Sequence, residues 1–137
     1  MVKRIFPGNY KSLEAISNFA IQQAEEGHFS PNAIYEIQTA VEEACANIID
    51  HAYGGEGIGD IEIQINPIET GLRIEIWDKG KNFNPDDVPE PDITSPLEIR
   101  KERGLGVFFM RKLMDEVVFS FSQSKGNKLT LIKYWEG

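Results

Sequence analysis

The sequence predicts a two-layer α+β sandwich, a mixed and mostly antiparallel sheet with helices on one face. Three observations lead there. Ile61, Ile63 and Ile65 alternate with Glu62, Gln64 and Asn66, and Leu72, Ile74 and Ile76 alternate with Arg73, Glu75 and Trp77. That is the period of strands wet on one face, and Glu69-Thr70-Gly71 supplies the hairpin turn between them. A second pair of strand patterns ends the chain, joined at Lys125-Gly126-Asn127. The remaining apolar residues recur mostly at steps of three and four, the helical period.

Val2 to Phe6 is a short apolar run that stops at the turn signal Pro7-Gly8, and reads as a first strand. From about Tyr10 to Glu26, Leu13, Ile16, Phe19, Ala20 and Ala24 trace a helix, with Gly27 where a C-terminal cap is expected. Ser30 then reads as an N-cap and Pro31 as the first helical residue. The helix they start organises the chain. Ile34, Ile37, Val41, Cys45, Ile48 and Ala52 form its apolar stripe, and Glu43, Asn47 and Asp50 fall on the opposite side, with Glu43 and Asn47 one turn apart. It is expected to end at Gly54-Gly55, before a glycine-rich link to Gly59.

After the first hairpin, strand alternation carries Asp78 to the side of Ile74 and Ile76. A carboxylate there has lost much of its water and needs a donor. The alternative is that the strand stops at Trp77 and leaves Asp78 in a solvated turn. Asp78 to Phe83 breaks the strand, and 84–103 is one irregular segment holding four of the seven prolines and Asp86, Asp87, Glu90 and Asp92. A loop this long is a functional lid or disordered. Within it Ser95-Pro96-Leu97-Glu98 has a capping-box pattern. Gly104-Leu105-Gly106 opens a third helix, Val107 to about Met114, with Arg111 and Lys112 in its last turn. Strands follow from Asp115 to Gln123 and from Leu129 to Trp135. No internal repeat is present, and 1–137 reads as one domain.

The 137 residues suffice for a proper core. A net charge of −8 argues against nucleic acid as a partner and fits protein partners or a metal-bound nucleotide. Cys45 is the only cysteine, which excludes a disulfide within the chain and a cysteine-based metal cluster. No signal peptide, membrane-spanning run or lipidation motif is found, so a cytoplasmic location away from membranes is expected.

Three weak signals carry the chemistry. The P-loop, the Rossmann fingerprint and the signatures of the common protein kinases are all missing. Two histidines, His28 and His51, are too few for a typical multi-histidine zinc site, and His51 near a helix end reads as a packing or capping residue. Glu43 and Asn47 offer a carboxylate and an amide oxygen, hard ligands suited to magnesium or to a water it holds. Asp78 offers a buried acceptor, with Gly80 two residues on where backbone can approach a ligand. Gly104 and Gly106 leave a helix N-terminus bare for phosphate. Their order, with a long lid between the second and third, is specific for a nucleotide site.

In these motifs the sequence resembles the serine/threonine kinase anti-sigma factors, members of the ATPase superfamily shared with gyrase, heat-shock chaperones and histidine kinases. Glu43-Ala-Cys-Ala-Asn47 is similar to that family's first box and Asp78-Lys-Gly80-Lys-Asn-Phe83 to its second. Arg103-Gly-Leu-Gly106-Val-Phe-Phe-Met-Arg-Lys-Leu-Met-Asp-Glu-Val is close to the third and is the most specific. The resemblance covers nearly the whole chain and implies a Bergerat-type ATP-binding fold. It implies that Asn47 binds the magnesium bridging the ATP phosphates, and that Asp78 accepts from the adenine amino group. Gly80 and Phe83 belong to the base pocket, while Gly104, Leu105 and Gly106 let the lid close over the phosphates. Glu43 is implied as the general base toward a substrate serine. The implied partners are a STAS-domain anti-anti-sigma protein as substrate and a sigma factor held by a homodimer. A nucleotide-dependent binding module without transfer activity would use the same boxes. A histidine-kinase fragment is the weaker expectation, since no dimerisation helix with a phospho-acceptor histidine precedes the boxes.

Overall fold

In the computed structural model, residues 1–81 and 102–136 are described. The alternating segments become five strands: β1 (Val2–Pro7), β2 (Asp60–Ile68), β3 (Gly71–Asp78), β4 (Glu116–Ser122) and β5 (Gly126–Tyr134). They lie in the order β1-β2-β3-β5-β4, and every neighbouring pair is antiparallel, so the expected mixed sheet resolves to an antiparallel one. Register puts like against like on the inner face. Ile63 faces Ile76, Ile65 faces Ile74, and Ile74 and Ile76 face Leu131 and Leu129. β-branched cross-strand neighbours of this kind stabilise a half-buried sheet. The outer face carries charge, including Glu75 with Lys128 at 3.4 Å, a surface pair of small worth.

Three helices cover the inner face: α1 (Ser12–Glu26), α2 (Pro31–Asn47) and α3 (Glu102–Leu113). Their apolar stripes join the sheet isoleucines in one core, and α2 touches both α1 and α3. The caps are the expected ones. Ser30 Oγ accepts from Ala33 N at 3.2 Å, Pro31 takes the first helical position, and Gly27 N donates back to Gln23 O.

The structure corrects three details. The second helix does not run as α-helix to Gly54-Gly55. After Asn47 it widens into a π turn, Ile48–Ala52, closed by Tyr53 N donating to Ile48 O at 2.8 Å. The wider turn leaves the successive residues Ile48 and Ile49 both buried, which the periodicity of the sequence does not reveal. The last hairpin turns at 123–125, and Gly126 and Asn127 belong to β5. Gly126 has φ of 90°, and a Cβ there would stand 2.3 Å from Asp78 O, so glycine is required. Finally α3 begins at Glu102, so Gly104-Leu105-Gly106 lies inside the helix instead of opening it, and Arg103 is helical instead of lid. A helical glycine costs only about 1 kcal/mol, and packing against α2 outweighs it. The rest of the expected lid, with Phe83 and the Ser95–Glu98 capping pattern, lies outside the described residues.

One buried cation ties the layers together. Lys133 sits on the inner face of β5, donates from Nζ to Leu113 O at the end of α3 at 2.5 Å, and lies 3.3 Å from the Glu36 carboxylate of α2. Lys133→Met should cost about 1–3 kcal/mol, because it strips the helix-end carbonyl and Glu36 of their shared partner. Chemical denaturation checks this, and an unchanged midpoint would show the tie to be worthless.

Candidate functional site

Strand alternation holds to the end of β3, and Asp78 is 6% exposed on the inner face. The donor it requires comes from the neighbouring strand. Asn127 stands opposite in register, and its Nδ2 donates to Asp78 Oδ1 at 2.9 Å. Gly80 N donates to the same oxygen at 2.9 Å. The Asn127 amide also reaches Gly80 O at 3.2 Å and Lys81 O at 3.1 Å. Three acceptors around one nitrogen fix which end of the amide is NH₂. Asn127 Oδ1 must therefore point away, and it is buried with no donor among the described residues. The described donors to Asp78 both use Oδ1, leaving Oδ2 to a ligand. Burial raises the Asp78 pKa above the ordinary carboxylate value, and the bonds from Asn127 and Gly80 pull it part of the way back.

These two residues border a cavity between sheet and helices. Phe119 and Leu129 line it from the sheet, Asn47 and His51 from α2 and the π turn, and Val107 and Met110 from α3. The π turn leans on the chain leaving β3. Lys81 N donates to Ala52 O at 2.7 Å, and a Cβ on Gly80 would lie 2.5 Å from the Ala52 carbonyl carbon and oxygen. Gly80 is thus demanded by the protein's own backbone. Gly106 meets Asn47 in the same way, since a Cβ there would lie 2.6 Å from Asn47 Nδ2. The first and third motifs therefore touch through a glycine and an amide.

Gly106→Ala should leave the fold intact, because the atom in the way ends a side chain. It should displace the Asn47 amide and weaken about tenfold the binding of any ligand that this amide holds. Calorimetric titration beside a melting curve checks both; unchanged affinity would separate Gly106 from the site.

Asn47, Asp78, Gly80 and Gly106 are thus brought together. Glu43 lies one turn before Asn47, partly buried, and is not among the described residues lining the cavity. Gly104 and Leu105 lie in the first turn of α3. His51, read as packing or capping, borders the cavity, as does Lys81. Asn127 was missed because Lys125-Gly126-Asn127 looked like a turn. The available signal was its parity with Leu129 and Leu131, which places a polar residue on the dry face.

The arrangement suits a purine nucleotide. One acceptor, Asp78 Oδ2, borders a cavity with apolar walls and matches an exocyclic amine on a flat ring. No group of three or more His, Cys, Asp or Glu among the described residues could hold an ion. A metal would depend on Asn47 and on oxygens of the ligand, which is how magnesium usually accompanies phosphates.

Residues 6–133 match the histidine kinase-like ATPase domain. The chain belongs to that family. Similar curated proteins include several named serine-protein kinase. Serine-protein kinase RsbW of Bacillus thuringiensis (strain Al Hakam) is 32% identical over 110 residues, spanning 77% of this chain and 67% of that protein. The same-named protein of Bacillus mycoides (strain KBAB4) is 33% identical over 110 residues. A solved histidine kinase domain from the Erythrobacter litoralis EL346 blue-light activated histidine kinase superposes with a TM-score of 0.53 at 16% identity. The match spans 91% of this chain and 59% of that one, and shows the shared fold. No helix among the described residues is long and apolar enough to cross a membrane.

Proposed function

We propose that this protein is an ATP-dependent protein-serine kinase and anti-sigma factor. It phosphorylates a STAS-domain anti-anti-sigma protein and sequesters a sigma factor, acting as a cytoplasmic homodimer. The observation that carries the reading is the contact of Gly106 with Asn47, which lines one cavity with the Asp78–Asn127 pair. The serine-protein kinase names of the similar proteins support it.

Asp78, held in place by Asn127, receives the adenine amino group. Asn47 would hold magnesium, which when bound draws charge from the phosphate oxygens. Glu43 takes the proton from the substrate serine as its oxygen attacks the γ-phosphorus and ADP departs. Gly104, Leu105 and Gly106 would let the lid close over the phosphates, and Gly80 would make room for the base together with Phe83, which lies outside the described residues.

The test uses the purified protein, magnesium-ATP and the STAS-domain protein encoded nearest to it. Intact mass should show one added phosphate on a substrate serine. ATP binding without transfer to that or any other STAS-domain protein would favour a nucleotide-dependent binding module.

A further inference from the structure

Behind Asp78–Lys81, on the outer face of the sheet, lies an open groove of about 910 Å³. It is bounded by β1, the 53–59 link, the start of β2, the end of β3 and the β4–β5 hairpin, and it shares Ala52, Asp78 and Lys81 with the cavity on the inner face. Lys3, Lys79, Lys81 and Lys125 line it, and Lys128 stands over the ring of Trp77 at 5.1 Å. Glu62 lies 4.0 Å from Lys3, and Glu75 pairs with Lys128. Lys79, Lys81 and Lys125 are exposed and make no ion pair among the described residues. On a chain of net charge −8 this is a local reversal of sign. Apolar surface borders the lysines, with Ile5 59% and Ile58 66% exposed at the groove. The indole N–H of Trp77 is a buried donor with no acceptor among the described residues.

We propose that this groove binds an acidic segment of a partner protein. Its carboxylates meet the ammonium groups of Lys79, Lys81 and Lys125, and an apolar side chain covers Ile5 and Ile58. The groove's own acids decide the class of partner. Asp60, Glu62 and Asp78 also line it and call for N–H or O–H donors, which a phosphate backbone, presenting acceptors alone, does not supply. A peptide presents carboxylates to the lysines and N–H groups to Asp60 and Glu62. This surface is separate from the one that takes the substrate serine, and does not rest on the kinase reading.

Trp77 reports on the groove directly. In a Trp135→Phe variant, shown folded by circular dichroism, Trp77 is the sole tryptophan. The probe is a short peptide of Glu and Asp around one Leu, compared with its Gln and Asn counterpart, single-stranded DNA and anionic lipid vesicles. The acidic peptide alone should change Trp77 fluorescence saturably, with affinity falling about tenfold from low to high salt. Adding Lys79→Glu with Lys125→Glu should weaken it about tenfold or more, and Lys79→Gln with Lys125→Gln by less. No saturable change, binding of DNA or vesicles in place of the peptide, or unchanged affinity in a folded Lys→Glu double variant would overturn the proposal.

Discussion

Glu43→Ala should slow phosphotransfer to the substrate serine by about 10²- to 10⁴-fold, the usual worth of a positioned general base. ATP affinity should stay within about twofold, because Glu43 does not line the described wall of the nucleotide cavity. The helix beneath it is packed against both α1 and α3 and carries Glu43 one turn before Asn47. Glu43→Gln keeps size and shape and removes the basic oxygen. It should be nearly as slow as the alanine variant, which separates proton transfer from packing. Single-turnover rates at saturating ATP are the measurement, and a full rate in either variant would remove Glu43 as the base.

Asp78→Asn should lower ATP affinity by about 10- to 100-fold, the range set by losing a buried charged acceptor, about 1.5–3 kcal/mol. The Asn127 amide and Gly80 N hold one oxygen in place. The new NH₂ must then face the cavity and oppose the adenine amine, donor against donor. The same change should stabilise the protein without ligand at neutral pH. Burial lifts the folded-state pKa of Asp78 above its unfolded value. As pH falls, the folded form protonates first, so stability rises through the window between the two values. Above that window the ionised group is desolvated in full and the cost stands. The advantage of Asp78→Asn is therefore present at pH 7 and shrinks as pH falls through the folded pKa. Melting curves across pH beside ATP titrations test both halves, and a variant that melts lower at pH 7 would refute the desolvation argument.

What was legible in the sequence followed from periodicity. Ile61, Ile63 and Ile65 against Leu72, Ile74 and Ile76 predict both strands and the side facing the helices; the same count offers Asp78 an inside place, with a solvated turn as the alternative, and the structure decides for the inside. Ser30-Pro31 and Gly27 marked helix ends through local hydrogen bonds, which sequence encodes directly. What failed was set by contacts between distant segments. The π turn accompanies Gly80 and Lys81 pressing on Ala52, and nothing near residue 48 announces them. Asn127 looked like a turn residue because Gly126 precedes it, yet its register partner Asp78 lies 49 positions away. The start of α3 was misplaced because glycine was read as a helix boundary, whereas contact with Asn47 makes Gly106 an interior residue of the helix.

The lone thiol offers a clock for these events. Cys45 is fully buried on α2, two residues before Asn47, and burial holds its thiol far above the ordinary range. An alkylating reagent can reach it only while that helix is lifted from the sheet, so labelling rates count openings of the element that carries the site. A nucleotide gripping Asn47 should make the openings rarer in proportion to its occupancy. The protein thus carries a residue-specific readout of ligand grip and local stability together, with no denaturant and no introduced residue.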